Sequence, residues 1–280
     1  MPTLTMSREF QLTDRDFEAI AGLVHDIAGI YLADSKRQLV YTRLSRRLRQ
    51  LGLGSFADYI RLLEGPGRDA ELGLLLNAIT TNLTSFFREP HHFDHLAGEL
   101  RHWLRDAARR RLRVWSSACS TGEEPYSIAM TLAREDIHKQ PVDAKILATD
   151  IDTSVLDRAR GATYPLDAFK ALASGEIDRF TRPVMESSAP MRRIRPEIAS
   201  MVHCKRLNLV QAWPMKGPFD AIFCRNVLIY FDAPTKARLV DRFCELLRDG
   251  GFLYLGHSES LMHRHPGLKP AGRTTYRRVY

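Results

Sequence analysis

Val114-Trp115-Ser116-Ser117-Ala118-Cys119-Ser120-Thr121-Gly122-Glu123-Glu124-Pro125-Tyr126 is the stretch on which the reading of this chain turns. A short apolar run, Val114 to Ala118, gives way to small polar residues and then to a helical stretch from Tyr126 to Ile137. The alternation continues with a second apolar run, Lys145 to Thr149, and a second helical stretch, Ser154 to Arg160. Short strands interleaved with helices in this way predict a parallel sheet with crossover helices. Farther on, Phe219 to Cys224 and Phe252 to Gly256 read as strands around a helix with Pro234 near its first turn and Gly250 past its end. The expected fold is α/β, Rossmann-like and doubly wound. Thr181 to Asn208 is rich in Pro, Ser and Arg, and its alternating Met191, Ile194 and Val202 segments suggest a small antiparallel hairpin inserted at about 181–207.

Upstream the pattern is helical. Thr13 with Asp14 and Asp16 reads as an N-cap and an acidic first turn, and Phe17, Ile20, Val24 and Ile27 follow at helical spacing until Gly29. Further helices are expected over Lys36 to Leu51, Phe56 to Leu63 and Ala70 to Ile79, with Gly65-Pro66-Gly67 ending the third. Residues 1–80 therefore read as an all-helical domain, 81–95 as a linker, and 96–280 as the α/β domain. The first eighty residues hold ten basic and ten acidic side chains, yet Ser35 to Ala57 has six Lys or Arg and no Asp or Glu. On a helical wheel Arg43, Arg46 and Arg47 share a face with Lys36, with Leu44, Leu48 and Leu51 on the neighbouring one. The leucines are expected to bury and the arginines to reach outward.

The 280 residues are 44% hydrophobic and 26% charged, which excludes collagen-like, mucin-like and wholly disordered chains. No apolar run approaches the roughly 18 residues that cross a bilayer. Met1 to Phe10 lacks the apolar core of a signal peptide, so a cytoplasmic protein is expected. Cys119, Cys204, Cys224 and Cys244 lack the close pairing of a zinc or dithiol site and read as reduced, buried residues; no metal is expected. Arg109-Arg110-Arg111 reads as a solvated helix end. A net charge of +8 calls for an acidic partner.

An open parallel sheet binds its ligand beyond the carboxyl ends of its strands. Here the first such loop, Cys119 to Pro125, contains one glycine, so neither the dinucleotide fingerprint nor the P-loop is present. Glu123 and Glu124 suit a cationic group such as the ammonium of a methionine-like moiety, or else simply favour the helix start through its dipole. Asp150, at the tip of the second strand, sits where adenosine ribose hydroxyls are accepted in doubly wound folds. Asp152 reads as a helix cap. Acidic first loop, acidic second tip and no glycine-rich phosphate site together indicate S-adenosylmethionine.

Four strings raise the specificity: Ala78-Ile79-Thr80-Thr81-Asn82-Leu83-Thr84-Ser85-Phe86-Phe87-Arg88-Glu89, Ser120 to Ser127, Phe219 to Phe231 through Cys224-Arg225-Asn226-Val227, and Gly256-His257-Ser258-Glu259. From about residue 15 to the C-terminus the chain strongly resembles the CheR family, chemotaxis receptor glutamate O-methyltransferases. That resemblance implies a helical N-terminal domain that recognises the receptor, a methyltransferase domain binding S-adenosylmethionine and releasing S-adenosylhomocysteine, and a small β-subdomain. It implies cofactor contacts from Asn82, Thr84 and Arg88 in the linker, the Glu123-Glu124 pair with Glu124 preferred, Asp150, Asn208-Leu209 before the fourth strand, and Arg225-Asn226. It nominates Arg88 and Tyr230 as catalytic. Arg43, Arg46 and Arg49 match the positions that bind the acidic methylation helices of chemoreceptors. The implied protein is a monomer, recruited to membrane receptor arrays, with no nucleic-acid partner and no insertion into the membrane. Arg182 to Pro190 lacks the glycine typical of members that dock a receptor's C-terminal pentapeptide.

A glutamate carboxylate is ionised at neutral pH, about three units above its reference pKa of ~4.3, so no general base is needed. His257, at a strand end, is accordingly read as a structural hydrogen-bonding group, and Trp115 and Phe223 as core. Two rivals remain at this point. A nucleic-acid methyltransferase would share fold and cofactor, but Arg225-Asn226-Val227-Leu228 stands where an Asn-Pro-Pro-Tyr type of tetrapeptide would grip a flipped base. A non-catalytic cofactor sensor would keep the fold and need neither Arg88 nor Tyr230.

Overall fold

Thr13 starts the first helix as its composition predicts: its Oγ1 accepts from Asp16 N at 3.1 Å while the Asp16 carboxylate accepts from Thr13 N at 3.1 Å, a closed capping box. The structure is a computed structural model that describes residues 9–66, 68–106, 108–185, 189–261 and 264–279. It divides into two units, Met1–Thr81 with Tyr230–Asp232, and Asn82–Ile229 with Ala233–Tyr280.

The first unit packs helices α1 (Asp14–Ala28), α2 (Arg37–Leu51), α3 (Phe56–Glu64) and α4 (Arg68–Ile79). Phe17, Ile20 and Val24 of α1, Val40, Leu44 and Leu48 of α2, and Phe56, Tyr59 and Leu63 of α3 are all buried, the apolar stripes that helical spacing predicts. Helix α2 ends because Gly52 takes φ +66°, a left-handed cap that side chains resist. Among its polar groups, Glu71 is nearly buried and fully engaged. Arg47 meets it through Nε at 2.8 Å and Nη2 at 2.5 Å, and Tyr59 donates its hydroxyl at 2.8 Å. The short segment Tyr230–Asp232 joins this unit through Tyr31 N, which donates to Tyr230 O at 2.8 Å.

The second unit begins with α5 (His91–Leu104) and continues β1 (Arg111–Ser116), α6 (Glu123–Arg134), β2 (Asp143–Asp150) and α7 (Thr153–Gly161). After β3 (Thr163–Pro165), α8 (Ser174–Phe180), β4 (Thr181–Val184), β5 (Met191–Ile194) and α9 (Pro196–Ala199) come β6 (Val202–Arg206) and β7 (Phe219–Cys224). Helix α10 (Ala233–Leu246) and strands β8 (Leu247–Leu255), β9 (Leu268–Gly272) and β10 (Thr275–Arg278) complete it. Among the described residues the main sheet has seven strands in the order β6-β2-β1-β7-β8-β10-β9. The first five are mutually parallel, β10 runs antiparallel to β8, and β9 runs antiparallel to β10. This is the doubly wound α/β fold. Trp115 is fully buried, 4.9 Å from Trp213 and 5.3 Å from Phe243, and Phe223 stacks on Tyr254 at 4.3 Å, so both expected core residues are core. The four cysteines are free, and Cys119, Cys224 and Cys244 are buried. No helix among the described residues is long and apolar enough to cross a membrane.

The small antiparallel sheet is present, but its membership differs from the 181–207 expectation. Its order is β3-β5-β4, so it draws in Thr163–Pro165 and releases Val202–Arg206 to the edge of the main sheet, parallel to β2. The physical reason is that β6 is a half-exposed edge strand, and its alternation reads the same in a hairpin arm. Asn208 consequently follows the third parallel strand closely instead of immediately preceding the fourth, which starts at Phe219. Of Arg182 to Pro190, residues 186–188 lie outside the described residues. The Arg109 guanidinium is not solvated: it meets the buried Asp220 carboxylate at 2.6 Å, and Arg248 meets the same oxygen at 2.8 Å.

Candidate functional site

With β2 on one side of β1 and β7 on the other, the chain order reverses at the carboxyl end of β1, which opens a crevice there. The loop after β1 is tied down on both sides. Ser117 N donates to Phe223 O at 2.9 Å, and Cys119 N to Thr149 O at 2.8 Å. Gly122 has φ +102°, and a Cβ there would lie 2.5 Å from the Tyr164 hydroxyl, so only glycine lets this turn close under Tyr164. The Tyr164 hydroxyl in turn donates to Thr121 O at 2.7 Å.

Asp150 organises the tips of β1 and β2. Its Oδ2 accepts from Ser120 N at 2.8 Å and its Oδ1 from Asp152 N at 3.0 Å. It is 7% exposed, and burial pushes its pKa up to about 6 despite those backbone donors. The carboxylate offers about four acceptor sites, so it keeps capacity for a further donor. Asp152 caps α7, accepting from Ser154 N at 2.9 Å, and its other oxygen accepts from the Asn82 side-chain amide at 2.7 Å. Asn82 O accepts from Ser120 Oγ at 2.9 Å, so Asn82 bridges both acidic loops.

The acidic pair divides. Glu123 is half-buried and takes a 2.6 Å hydrogen bond from the Thr121 hydroxyl. Glu124 is buried, accepting from Ser116 Oγ at 2.7 Å and from Arg225 Nη1 at 3.0 Å. Burial raises its pKa, while Arg225 and Ser116 pull it back. Arg225, 6% exposed, also donates to Arg88 O and lies 3.6 Å from Glu89 Oε1. The arrangement locks the Arg88 segment to the end of β7. Arg88 itself is half-buried, its Nη1 on Leu83 O at 3.0 Å.

Glu259 explains a second string. Its carboxylate accepts from Asn226 N at 2.6 Å, Gly256 N at 2.7 Å and Ile229 N at 3.2 Å. Asn226 sits at φ +57°, and a Cβ on Gly256 would lie 2.5 Å from its amide nitrogen. Gly256 and Glu259 therefore hold the Arg225-Asn226 turn in a conformation that a side chain at 256 would obstruct.

Residues 82–276 match the CheR methyltransferase SAM binding domain, and residues 15–80 match the CheR methyltransferase all-alpha domain. A chemotaxis protein methyltransferase 2 of Pseudomonas aeruginosa is 46% identical over 99% of both chains. A chemotaxis protein methyltransferase of Escherichia coli is 45% identical over 98% of this chain and 94% of its own. The chain belongs to the CheR methyltransferase family. It is an S-adenosylmethionine-dependent methyltransferase, and the donor set suits that cofactor: two acidic loops, one with a buried carboxylate that retains acceptor capacity, and no phosphate cradle.

Against that family frame, the structure brings together Asn82, Glu123, Glu124, Asp150 and Arg225 around the ends of β1, β2 and β7. Asn208 and Leu209 follow directly on Leu207, whose N donates to Asp150 O at 3.0 Å. Thr84 and Arg88 lie on the same linker as Asn82, both half-buried. Tyr230 is described in the helical unit, its hydroxyl 3.4 Å from Thr81 O. The arginine stripe does not behave as one surface. Arg43 Nη1 donates to the carbonyls of Ala78, Ile79 and Thr80 at 3.1, 2.8 and 2.6 Å, capping the end of α4. Arg47 is committed to Glu71, Arg49 pairs with Glu9 at 3.0 Å, and Arg46 is exposed and unpaired among the described residues. The expectation that all these arginines reach outward is corrected for Arg43 and Arg47: a long side chain reaches acceptors that a helical wheel does not show.

Sequence reasoning missed Ser120, Glu89 and Glu259 as organisers. His257 holds Glu89 Oε1 through Nδ1 at 3.2 Å, consistent with a structural hydrogen bond. Burial pushes the neighbouring His92 down to about 3, with Arg225 and His91 adding to the shift, so its imidazole is neutral.

Proposed function

We propose that this chain transfers a methyl group from S-adenosylmethionine to glutamate side chains in the methylation helices of chemoreceptors, forming glutamyl methyl esters in the cytoplasm at receptor arrays. The observation that carries this reading is the match, over nearly the whole of both chains, to chemotaxis protein methyltransferases. When bound, the cofactor supplies a methyl group activated on a sulfonium. Asp150 is assigned to accept the ribose hydroxyls, and the acidic pair to meet the ammonium, with Glu124 the carboxylate held rigid by Arg225 and Ser116. Asn82, Thr84, Arg88, Asn208, Leu209, Arg225 and Asn226 complete the cofactor contacts.

The substrate carboxylate is already ionised, so the protein's work is orientation and exclusion of water. Arg88 is assigned to fork the substrate carboxylate, and Tyr230 to donate a hydrogen bond to the attacking oxygen. Arg46 and Arg49 carry the electrostatic attraction to an acidic receptor helix, with Arg43 supporting them from its place as the cap of α4. Incubation with methyl-tritiated cofactor and a receptor cytoplasmic fragment, followed by alkali, tests the reading. Volatile methanol supports it; label that survives alkali, or no transfer, rejects it.

A further inference from the structure

We propose that Glu89, His91 and His92 form a binding site for a divalent first-row transition metal of the zinc class, ligated by Glu89 Oε2, His91 Nε2 and His92 Nδ1. One ligand atom from each of the three residues lies within 4.8 Å of the other two, and His92 Nδ1 is 3.7 Å from Glu89 Oε2. Six side-chain nitrogen or oxygen atoms among the described residues are buried without a hydrogen-bond partner, and three of the six are the proposed ligand atoms. A buried polar atom left unpaired costs about 1–3 kcal/mol, so their convergence on one point calls for a shared occupant.

The far side of each buried ligand is already held. His92 is fully buried, and its Nε2 lies 3.0 Å from Thr274 Oγ1. With Nε2–H donating to that hydroxyl, the unpartnered Nδ1 presents a bare lone pair. The second oxygen of Glu89 is engaged by His257 at 3.2 Å and faces Arg225 at 3.6 Å. This is the outer shell expected around metal ligands, each oriented by a partner on its other atom. Tetrahedral donors about 2.0–2.1 Å from zinc are roughly 3.4 Å apart, a contraction that side-chain torsions can supply.

The charge balance allows a dication. Arg225 and the N-terminal dipole of α5 oppose it, but two carboxylates, Glu89 and Glu124, face that single guanidinium. Two imidazoles and one carboxylate favour zinc or its neighbours over magnesium or calcium, which prefer all-oxygen shells. Cysteine spacing, the basis for expecting no metal, has no bearing on this histidine and carboxylate set. Metal bound here would clamp the residue directly after Arg88.

The full-length chain, stripped with chelator, would be titrated with Co²⁺ and the visible absorption followed, then back-titrated with Zn²⁺. The expected result is one Co²⁺ per chain with a low-coordination ligand-field band, displaced by Zn²⁺. His91→Ala, at a half-exposed position, should weaken binding at least tenfold. Thr274→Val, which removes only the orienting partner of His92, should weaken it about tenfold or more, and circular dichroism checks that both variants fold. Absence of stoichiometric binding, or equal Co²⁺ affinity in the parent and in whichever variant folds, would overturn the proposal.

Discussion

The two units each contain a buried polar cluster built on a carboxylate, and they are finished differently. In the helical unit Glu71 is saturated: Arg47 forks it, Tyr59 donates to it, and these donors outweigh burial to hold its pKa below the ordinary carboxylate range. In the α/β unit Asp150 is under-served. Backbone amides hold it, no cation pairs with it among the described residues, and burial lifts it to about 6. A cluster whose role is to fix a fold closes on itself, whereas one kept for a ligand retains acceptor capacity and tolerates the desolvation that goes with it.

The largest expected effect is on the closed cluster. Glu71→Ala leaves Arg47 and the Tyr59 hydroxyl buried without their acceptor, and should cost about 3 kcal/mol in urea unfolding. Because the folded pKa of Glu71 is depressed, its contribution is present above the unfolded pKa and lost as pH falls through the folded one. A loss under about 1 kcal/mol would break the comparison.

For the open cluster, Asp150→Asn should change stability by less than about 1 kcal/mol while weakening S-adenosylhomocysteine roughly tenfold or more, as for a hydrogen bond to a charged group. The pH dependence has the opposite sign to that of Glu71. Since the cofactor-free pKa of Asp150 is raised from 3.8 to about 6, the stability it contributes is present below the unfolded value and lost as pH rises through about 6. Cofactor affinity, which requires the ionised form, should fall roughly tenfold per pH unit below that point. Calorimetry between pH 5 and 8, at about unit steps, checks this, and a flat profile would remove Asp150 as the ribose acceptor.

The arginines of α2 separate along the same line, and Arg46 carries the smallest effect. Arg43→Ala should destabilise by about 1.5–3 kcal/mol, because three carbonyls lose a charged donor. Arg46→Ala should leave unfolding unchanged and raise the apparent KM for receptor about 1.4- to 5-fold, an effect that salt erases. Equal behaviour of the two variants would return α2 to a uniform surface.

Much of the α/β unit was legible in the sequence, because strands β1, β2 and β7 are apolar runs bounded by small residues and their loops carry the acidic groups. Strand β6 was not, since a parallel edge strand and a hairpin arm share the same alternation. Strand β9 contains Pro270, which an edge strand accepts but which hides the strand from a pattern search. At the site, Asp150 was legible by position alone. The work of Glu259 was invisible, because its partners are backbone amides at Asn226, Gly256 and Ile229 that only the fold brings together. Arg43 misled for a similar reason: its acceptors lie at Ala78 to Thr80, beyond any local pattern.

The most direct test of the account is peptide mapping by mass spectrometry of a chemoreceptor cytoplasmic fragment, after incubation with S-adenosylmethionine and either the parent chain or Asp150→Asn at equal, limiting cofactor. Methyl esters are expected on glutamate residues alone, removed by mild base and strongly reduced with the variant. Methylation of lysine, arginine or added nucleic acid, or undiminished esters with Asp150→Asn, would contradict the account.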